Sequence, residues 1–231
     1  MTAKIAAFGA LNAASYEEFA RQLKERSGGA AYELVFAEPY PNAAAVSAPG
    51  RPLRGEALQD DAKKQELFVA VAADAKAIGA EMAEIRVMPC MSMIGFHDGV
   101  EKALGAGIVR LADALVAQYK AVDKVGIIHM RPAKKRIEEI FGAKAVTPDD
   151  TQAAKLLAAE EEAKILKSPA PVEAVMKEIT ETWRGAGIKH ILFARADAPK
   201  AKHSAAGQVQ GVEILSYFDI LAEAVIKKLK A

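Results

Sequence analysis

Cys90 is the single cysteine of this 231-residue chain, and it stands just past an apolar run, Ile85 to Val87, that reads as a buried strand. Ser92 follows two residues later, and a helical pattern opens there. A thiol acts as base or nucleophile through its thiolate, and the backbone N–H groups at a helix start favour that charged form. The spacing therefore offers acid–base or nucleophilic chemistry at Cys90; the alternative is a small hydrophobe packed in the core. Asn12 and Ser15 follow the first apolar run, Lys4 to Ala10. Ser15, with Glu18 three residues on, fits a helix N-cap and its capping box, or presents a hydroxyl to a ligand at the carboxyl end of the first strand. Arg51 and Arg54 lie in a long Pro-, Ala- and Gly-rich stretch, Glu38 to Glu56. They are either solvated or a guanidinium fork over a carboxylate, in a loop long enough to be functional. His129 ends an apolar run beside Met130 and Arg131, at the strand edge where α/β proteins bind ligands.

The remaining histidines are less telling. His97, seven residues past Cys90, reads as a surface or capping residue, with a role as acid or base partner as the alternative. His190 opens a strand at the opposite edge, and His203 lies in a polar loop, Ala194 to Gly211. No His, Cys and Asp set has metal-ligand spacing. There is no GxxxxGK[ST] and no GxGxxG after a strand, so no nucleotide cofactor is expected. Thirty-one basic and 30 acidic residues leave a formal net charge of +1, which gives no field for nucleic acid or an anionic membrane. One cysteine excludes an internal disulfide framework and fits a reducing cytoplasm. No apolar run approaches the roughly 20 residues needed to span a bilayer, and the N-terminus reads as a first strand rather than a signal peptide. A soluble cytoplasmic protein is expected.

These residues need elements to position them. Apolar runs at Lys4–Ala10, Tyr32–Ala37, Ile85–Val87, Gly107–Val109, Lys124–His129, Lys144–Thr147, His190–Ala194 and Val212–Leu215 read as strands. Helical periodicity separates them: Phe19 with Leu23, then Leu67, Val71 and Ile78, then Leu111, Leu115 and Tyr119, then Ile137, Ile140 and Phe141. Pro132 suits the first position of a helix. Thr151 to Leu166 is a helix whose run Glu160-Glu161-Glu162 reads as a solvated face. Val172, Val175, Met176, Ile179 and Trp183 form a core stripe, and Phe218, Leu221, Val225 and Leu229 line a closing helix. Alternating strands and helices predict an α/β fold with parallel sheets, and the two halves look like copies of one strand–helix pattern.

Taken together, Pro89-Cys90-Met91-Ser92, the Lys124 to Pro148 segment and the closing EILSYFDILAEAVIKKL resemble the aspartate/glutamate racemase superfamily over nearly the whole chain. The resemblance implies two similar α/β domains, each a parallel sheet flanked by helices, with the ligand cleft between them. The first domain would be residues 1–104 plus 212–231 and carry Cys90; the second, 105–211, would carry Arg195. The resemblance also implies a cofactor-independent isomerase of amino-acid metabolism acting on a small-molecule carboxylate, and a homo-oligomer. In that family one thiolate removes the α-proton and a second thiol returns one to the opposite face. The motif of the first cysteine is kept here without its amide residue, with Ser92 as the hydroxyl. The second cysteine's turn aligns with Ala194-Arg195-Ala196-Asp197, so Arg195 stands where the second thiol would be. The family's Gly-rich N-terminal turn corresponds to Gly9 through Ser15. Carboxylate recognition falls to Arg54 or Arg51, and to Lys167 or Lys164.

Guanidinium stays protonated and cannot return a proton. Three readings follow. Cys90 works with another donor, such as His97, Asp197 or His203, as a racemase or epimerase. Or Cys90 acts alone, as in relatives that decarboxylate or isomerise small dicarboxylates, with Arg195 lowering the thiol pKa or holding a carboxylate. Or the protein binds a small acid without turning it over.

Overall fold

The computed structural model describes residues 2–9, 13–37, 61–129, 134–195 and 208–231, without the side chains of Ser92 and Lys134. It divides into two compact units, 1–114 with 218–231 and 115–217.

In the first unit β1 (Ala3–Ala7) is the centre of a parallel sheet ordered β2-β1-β3, with β2 at Tyr32–Phe36 and β3 at Ile85–Val87. Ile5 is registered on Leu34 on one side and Ile85 on the other. A strand flanked on both sides, with helices covering its faces, is apolar throughout, and Ile5, Ala6, Ala7 and Phe8 are fully buried. The helices are α1 (Ala13–Arg26), α2 (Asp61–Ala77), α3 (His97–Leu104), the start of α4 (Leu111–Gln118) and the closing α8 (Tyr217–Leu229). Phe19 and Leu23 of α1, Leu67 and Val71 of α2, and Phe218, Leu221 and Val225 of α8 fill the core. Arg26 reaches the buried Asp219 at 2.5 Å and ties the end of α1 to the start of α8. Gly99 lets α3 close on α2, since a Cβ there would stand 2.2 Å from the Phe68 ring.

The second unit holds a parallel sheet ordered β5-β4-β6-β7: β4 at Val125–His129, β5 at Ala145–Val146, β6 at His190–Ala194 and β7 at Glu213–Ser216. Its helices are α5 (Lys134–Phe141), α6 (Asp150–Leu166) and α7 (Ala170–Gly185). Asp149 and Gln152 form a capping box at the start of α6. The expected α7 stripe is the core: Val172, Met176, Ile179 and Trp183 pack with Ile128, Ile191, Phe193 and Ile214, and Val175 lies at the edge. Trp183 crosses β4 at Gly126, where a Cβ would lie 2.4 Å from its ring.

Two parallel sheets flanked by helices agree with the α/β, two-domain expectation. The borders move. Val109 makes a single parallel bridge to Val87, so 107–109 extends the first sheet instead of opening the second. β7 pairs with β6, so the chain returns to the first unit at Phe218 rather than at residue 212. Ser15 is the third residue of α1 and not its N-cap. The helix expected from Ser92 is a single 3-10 turn, Met91–Met93, and α3 begins only at His97.

Candidate active site

Cys90 lies three residues beyond β3, at the carboxyl edge of the first sheet. Its backbone is extended, with φ −140° and ψ 117°. Its N–H donates to the Met88 carbonyl at 2.8 Å, and its own carbonyl accepts from the Met93 N–H at 3.1 Å. These bonds pin the turn on both sides of the thiol. Cys90 is 4% exposed, and Met88, Met91, Met93 and Ile94 around it in sequence are buried too. Three residues of 3-10 turn carry little of the dipole that a long helix would present. The helix-start support expected for a thiolate is therefore not supplied by the segment that follows. Ser15, buried in the first turn of α1, follows the neighbouring strand β1 and belongs to the same edge of that sheet.

Arg195 immediately follows β6, at the carboxyl edge of the second sheet. Its side chain is 6% exposed, and Nη1 donates to Glu160 Oε1 at 2.7 Å. Glu160 comes from α6 and is 31% exposed. On the adjacent strand the half-buried His129 is registered on Ala194, so His129 and Arg195 end neighbouring strands. Glu160 is the residue that reading the acidic run as a solvated face missed. It falls four residues after buried Leu156 and three before the partly buried Ala163, on the flank of the inward stripe. Glu161 and Glu162 are exposed. That spacing was the available signal.

Lys167 is exposed and ends α6 in the left-handed conformation at φ 51°, its N–H donating to the Ala163 carbonyl. Lys164 pairs with Glu161 at 2.6 Å, with both side chains 62% exposed. Neither lysine faces the Arg195–Glu160 pair from a buried position. Asn12, Arg51, Arg54, Arg131, Asp197 and His203 lie outside the described residues, as does the Ser92 side chain.

His97 is buried at 3% exposure, so of the surface or capping role expected the surface half does not hold. Nδ1 lies 3.1 Å from the Ile94 carbonyl, which makes it the donor, and Nε2 has no hydrogen-bond partner among the described residues. Burial pushes the His97 pKa down; the Ile94 carbonyl and the Glu101 and Asp98 charges act against that, and Arg110 acts with it. Arg110 also binds Asp98 at 2.7 Å and pairs with Glu101, whose other oxygen accepts the Ile108 N–H. Partial burial is the largest single influence on Glu101 and would raise its pKa, but the Arg110 hydrogen bond, the Ile108 N–H and the Arg110 and His97 charges together outweigh it and hold the pKa low. His190 pairs with Glu213 at 2.8 Å where β6 and β7 begin. Among the described residues no group of three or more His, Cys, Asp or Glu could hold a metal ion, and no helix is long and apolar enough to cross a membrane.

No family model matches the sequence, and no curated protein matches it significantly. Solved structures do. A proposed Asp/Glu racemase from Yersinia pestis is 18% identical, with all of both chains covered and a TM-score of 0.72. An aspartate racemase homologue from Pyrococcus horikoshii OT3 is 17% identical, with all of both chains covered and a TM-score of 0.73. An allantoin racemase from Klebsiella pneumoniae is 12% identical, covering all of this chain and 88% of that one, with a TM-score of 0.60.

Proposed function

We propose, from a chain that has the aspartate/glutamate racemase fold over its whole length, that this protein belongs to that superfamily and is a cofactor-independent racemase- or epimerase-like isomerase. Its substrate is a small amino acid or dicarboxylic acid, and Cys90 is the acid/base at the α-carbon. The observation that carries the reading is the placement of Cys90: one buried thiol, held by two backbone hydrogen bonds off the carboxyl end of β3. Ligands of open α/β sheets sit at that edge. As thiolate, Cys90 takes the α-proton and becomes the thiol, leaving the electron pair on the α-carbon delocalised into the carboxylate. Returning a proton to the same face restores the substrate, and only a second acid on the other face inverts it. Asp197 is the candidate for that acid, because Arg195 stays protonated. Asn12, Ser15, Ser92, Arg54, Arg131 and Lys167 remain the candidates for holding the substrate. The protein works in the cytoplasm as a homo-oligomer, without nucleic-acid or membrane partners.

A second reading is favoured by the buried Arg195–Glu160 pair. In it Cys90 is the only proton-transfer group, and the enzyme decarboxylates or isomerises a small dicarboxylate. Proton NMR in D2O with amino acids and small dicarboxylates separates the readings. Loss of the α-signal with appearance of the other enantiomer supports racemisation. Loss with retained configuration, or release of CO2, supports the single-thiol reaction. If every α-signal persists in wild type, neither enzymatic reading stands.

A further inference from the structure

Cys90 is joined to the helix that follows it by a run of hydrogen bonds, one of which comes from a side chain. The Cys90 carbonyl accepts from the Met93 N–H at 3.1 Å, the Met91 carbonyl from the Ile94 N–H at 3.1 Å and the Met93 carbonyl from the Phe96 N–H at 2.9 Å. Phe96 opens α3, and its carbonyl accepts from the Val100 N–H at 3.1 Å. The Ile94 carbonyl is reached by His97, whose Nδ1 donates to it at 3.1 Å. Phe96, the N-cap, makes no side-chain cap bond. The first residue of α3 thus uses its ring to hold the turn before the helix. Ile94 and His97 are both buried, where a carbonyl without a donor is costly.

The helix end of this connection is firm. The Phe96 and Phe68 rings pack with centroids 5.7 Å apart, Gly99 lies against the same Phe68 ring, and Val100 and Leu104 are buried. A three-residue 3-10 turn has poor hydrogen-bond geometry of its own, so its shape is set by what holds its two ends. The sheet holds the Cys90 end through the Met88 carbonyl, and His97 holds the Ile94 end.

We propose that His97 is a positioning residue for Cys90: its Nδ1–H fastens the Ile94 carbonyl, and with it the 91–94 turn, to α3, so that the thiol keeps one orientation. This rests on the reading of Cys90 as the acid/base. A reacting group displaced by about 1 Å can lose about 10²-fold in rate, so a bond three residues from the turn bears on the chemistry without touching substrate.

Labelling of Cys90 by N-ethylmaleimide reads the turn directly, because the chain has no other thiol. Rates are measured in wild type, His97→Asn, His97→Gln and His97→Phe over a urea series that ends below the unfolding transition, with circular dichroism and melting temperatures alongside. Asparagine places an amide N–H near the Nδ1 position, glutamine carries it one carbon further, and phenylalanine keeps the ring without a donor. His97→Asn should label near the wild-type rate. His97→Gln and His97→Phe should label about tenfold or more faster, with a rate flat in urea, because a local opening exposes little surface and global unfolding much. A packing role alone would reverse the order and favour phenylalanine over asparagine. In the α-proton exchange assay kcat should fall in the same two variants while KM holds, and His97→Asn should retain most of it. Equal labelling in all four proteins, or an acceleration that rises steeply with urea and only follows the loss of global stability, would overturn the proposal. So would a loss of exchange in His97→Asn as complete as in His97→Phe, which would make His97 a proton-transfer group. Absence of exchange in wild type removes the reading of Cys90 as acid/base, and the labelling order alone then decides whether His97 holds the turn.

Discussion

At Cys90 the backbone does the positioning, through one hydrogen bond to Met88 and one from Met93. Removing the sulfur should leave the turn intact and the chemistry absent. Cys90→Ala is expected to lower α-proton exchange by at least the 10²–10⁴-fold that a positioned acid/base contributes, with an unchanged circular dichroism spectrum as the control. His97 also bears on stability. Its folded pKa is depressed by burial, so the unfolded chain binds the proton more readily. The stabilisation is complete above the ordinary histidine pKa of 6.5 and is lost as the pH falls from there through the folded value. Urea midpoints should therefore drop between pH 7.5 and pH 5, more steeply in wild type than in His97→Asn. The asparagine amide can still donate to the Ile94 carbonyl but does not titrate. Glu101, Asp98 and Arg110 are the charged neighbours that bear on His97, and all three are unchanged in that variant. Equal slopes in the two proteins would show that His97 does not set the acid limit.

The elements show where helices and strands are intolerant of change. β4 can lie under Trp183 only because residue 126 lacks a side chain. Gly126→Ala must displace the indole or the strand, and is expected to cost about 1–3 kcal/mol as an overpacked core position, read as a lower urea midpoint. Trp183→Ala should cost about 3–5 kcal/mol through lost burial and the cavity left behind. The end of α6 behaves in the opposite way. Lys167 is a non-glycine residue in the left-handed region, where glycine carries no Cβ penalty. Lys167→Gly should stabilise the protein by up to about 1 kcal/mol. If Lys167 instead serves the substrate, the same variant gains stability and loses affinity, and calorimetry beside the melt separates those outcomes.

For the whole molecule, a fold shared at 17–18% identity over full length means that patterning was kept while most residues changed. Light scattering should return a multiple of the 24.6 kDa chain mass if the homo-oligomer proposal holds, and the monomer mass would overturn it. Much of the architecture was legible in the chain because it rests on period and local chemistry. The apolar runs at 85–87, 125–129 and 190–194 are strands, and the 172–183 stripe is a core. Alternating strands and helices could hardly do other than cover parallel sheets. The same local chemistry singled out Cys90, and the family resemblance brought Arg195 into view. Three things were not legible, because each depends on contacts between residues distant in sequence. The 107–109 segment and β7 chose their sheets by pairing with Val87 and β6. His97 was buried by the packing of α3, which its spacing from Cys90 does not report. Glu160 became the partner of Arg195, 35 residues away, when α6 was laid beside β6. Sequence by itself determined which residues could do chemistry and which elements would carry them. Tertiary structure alone decided which charges meet, because a Coulomb contact depends on distance in space and not along the chain.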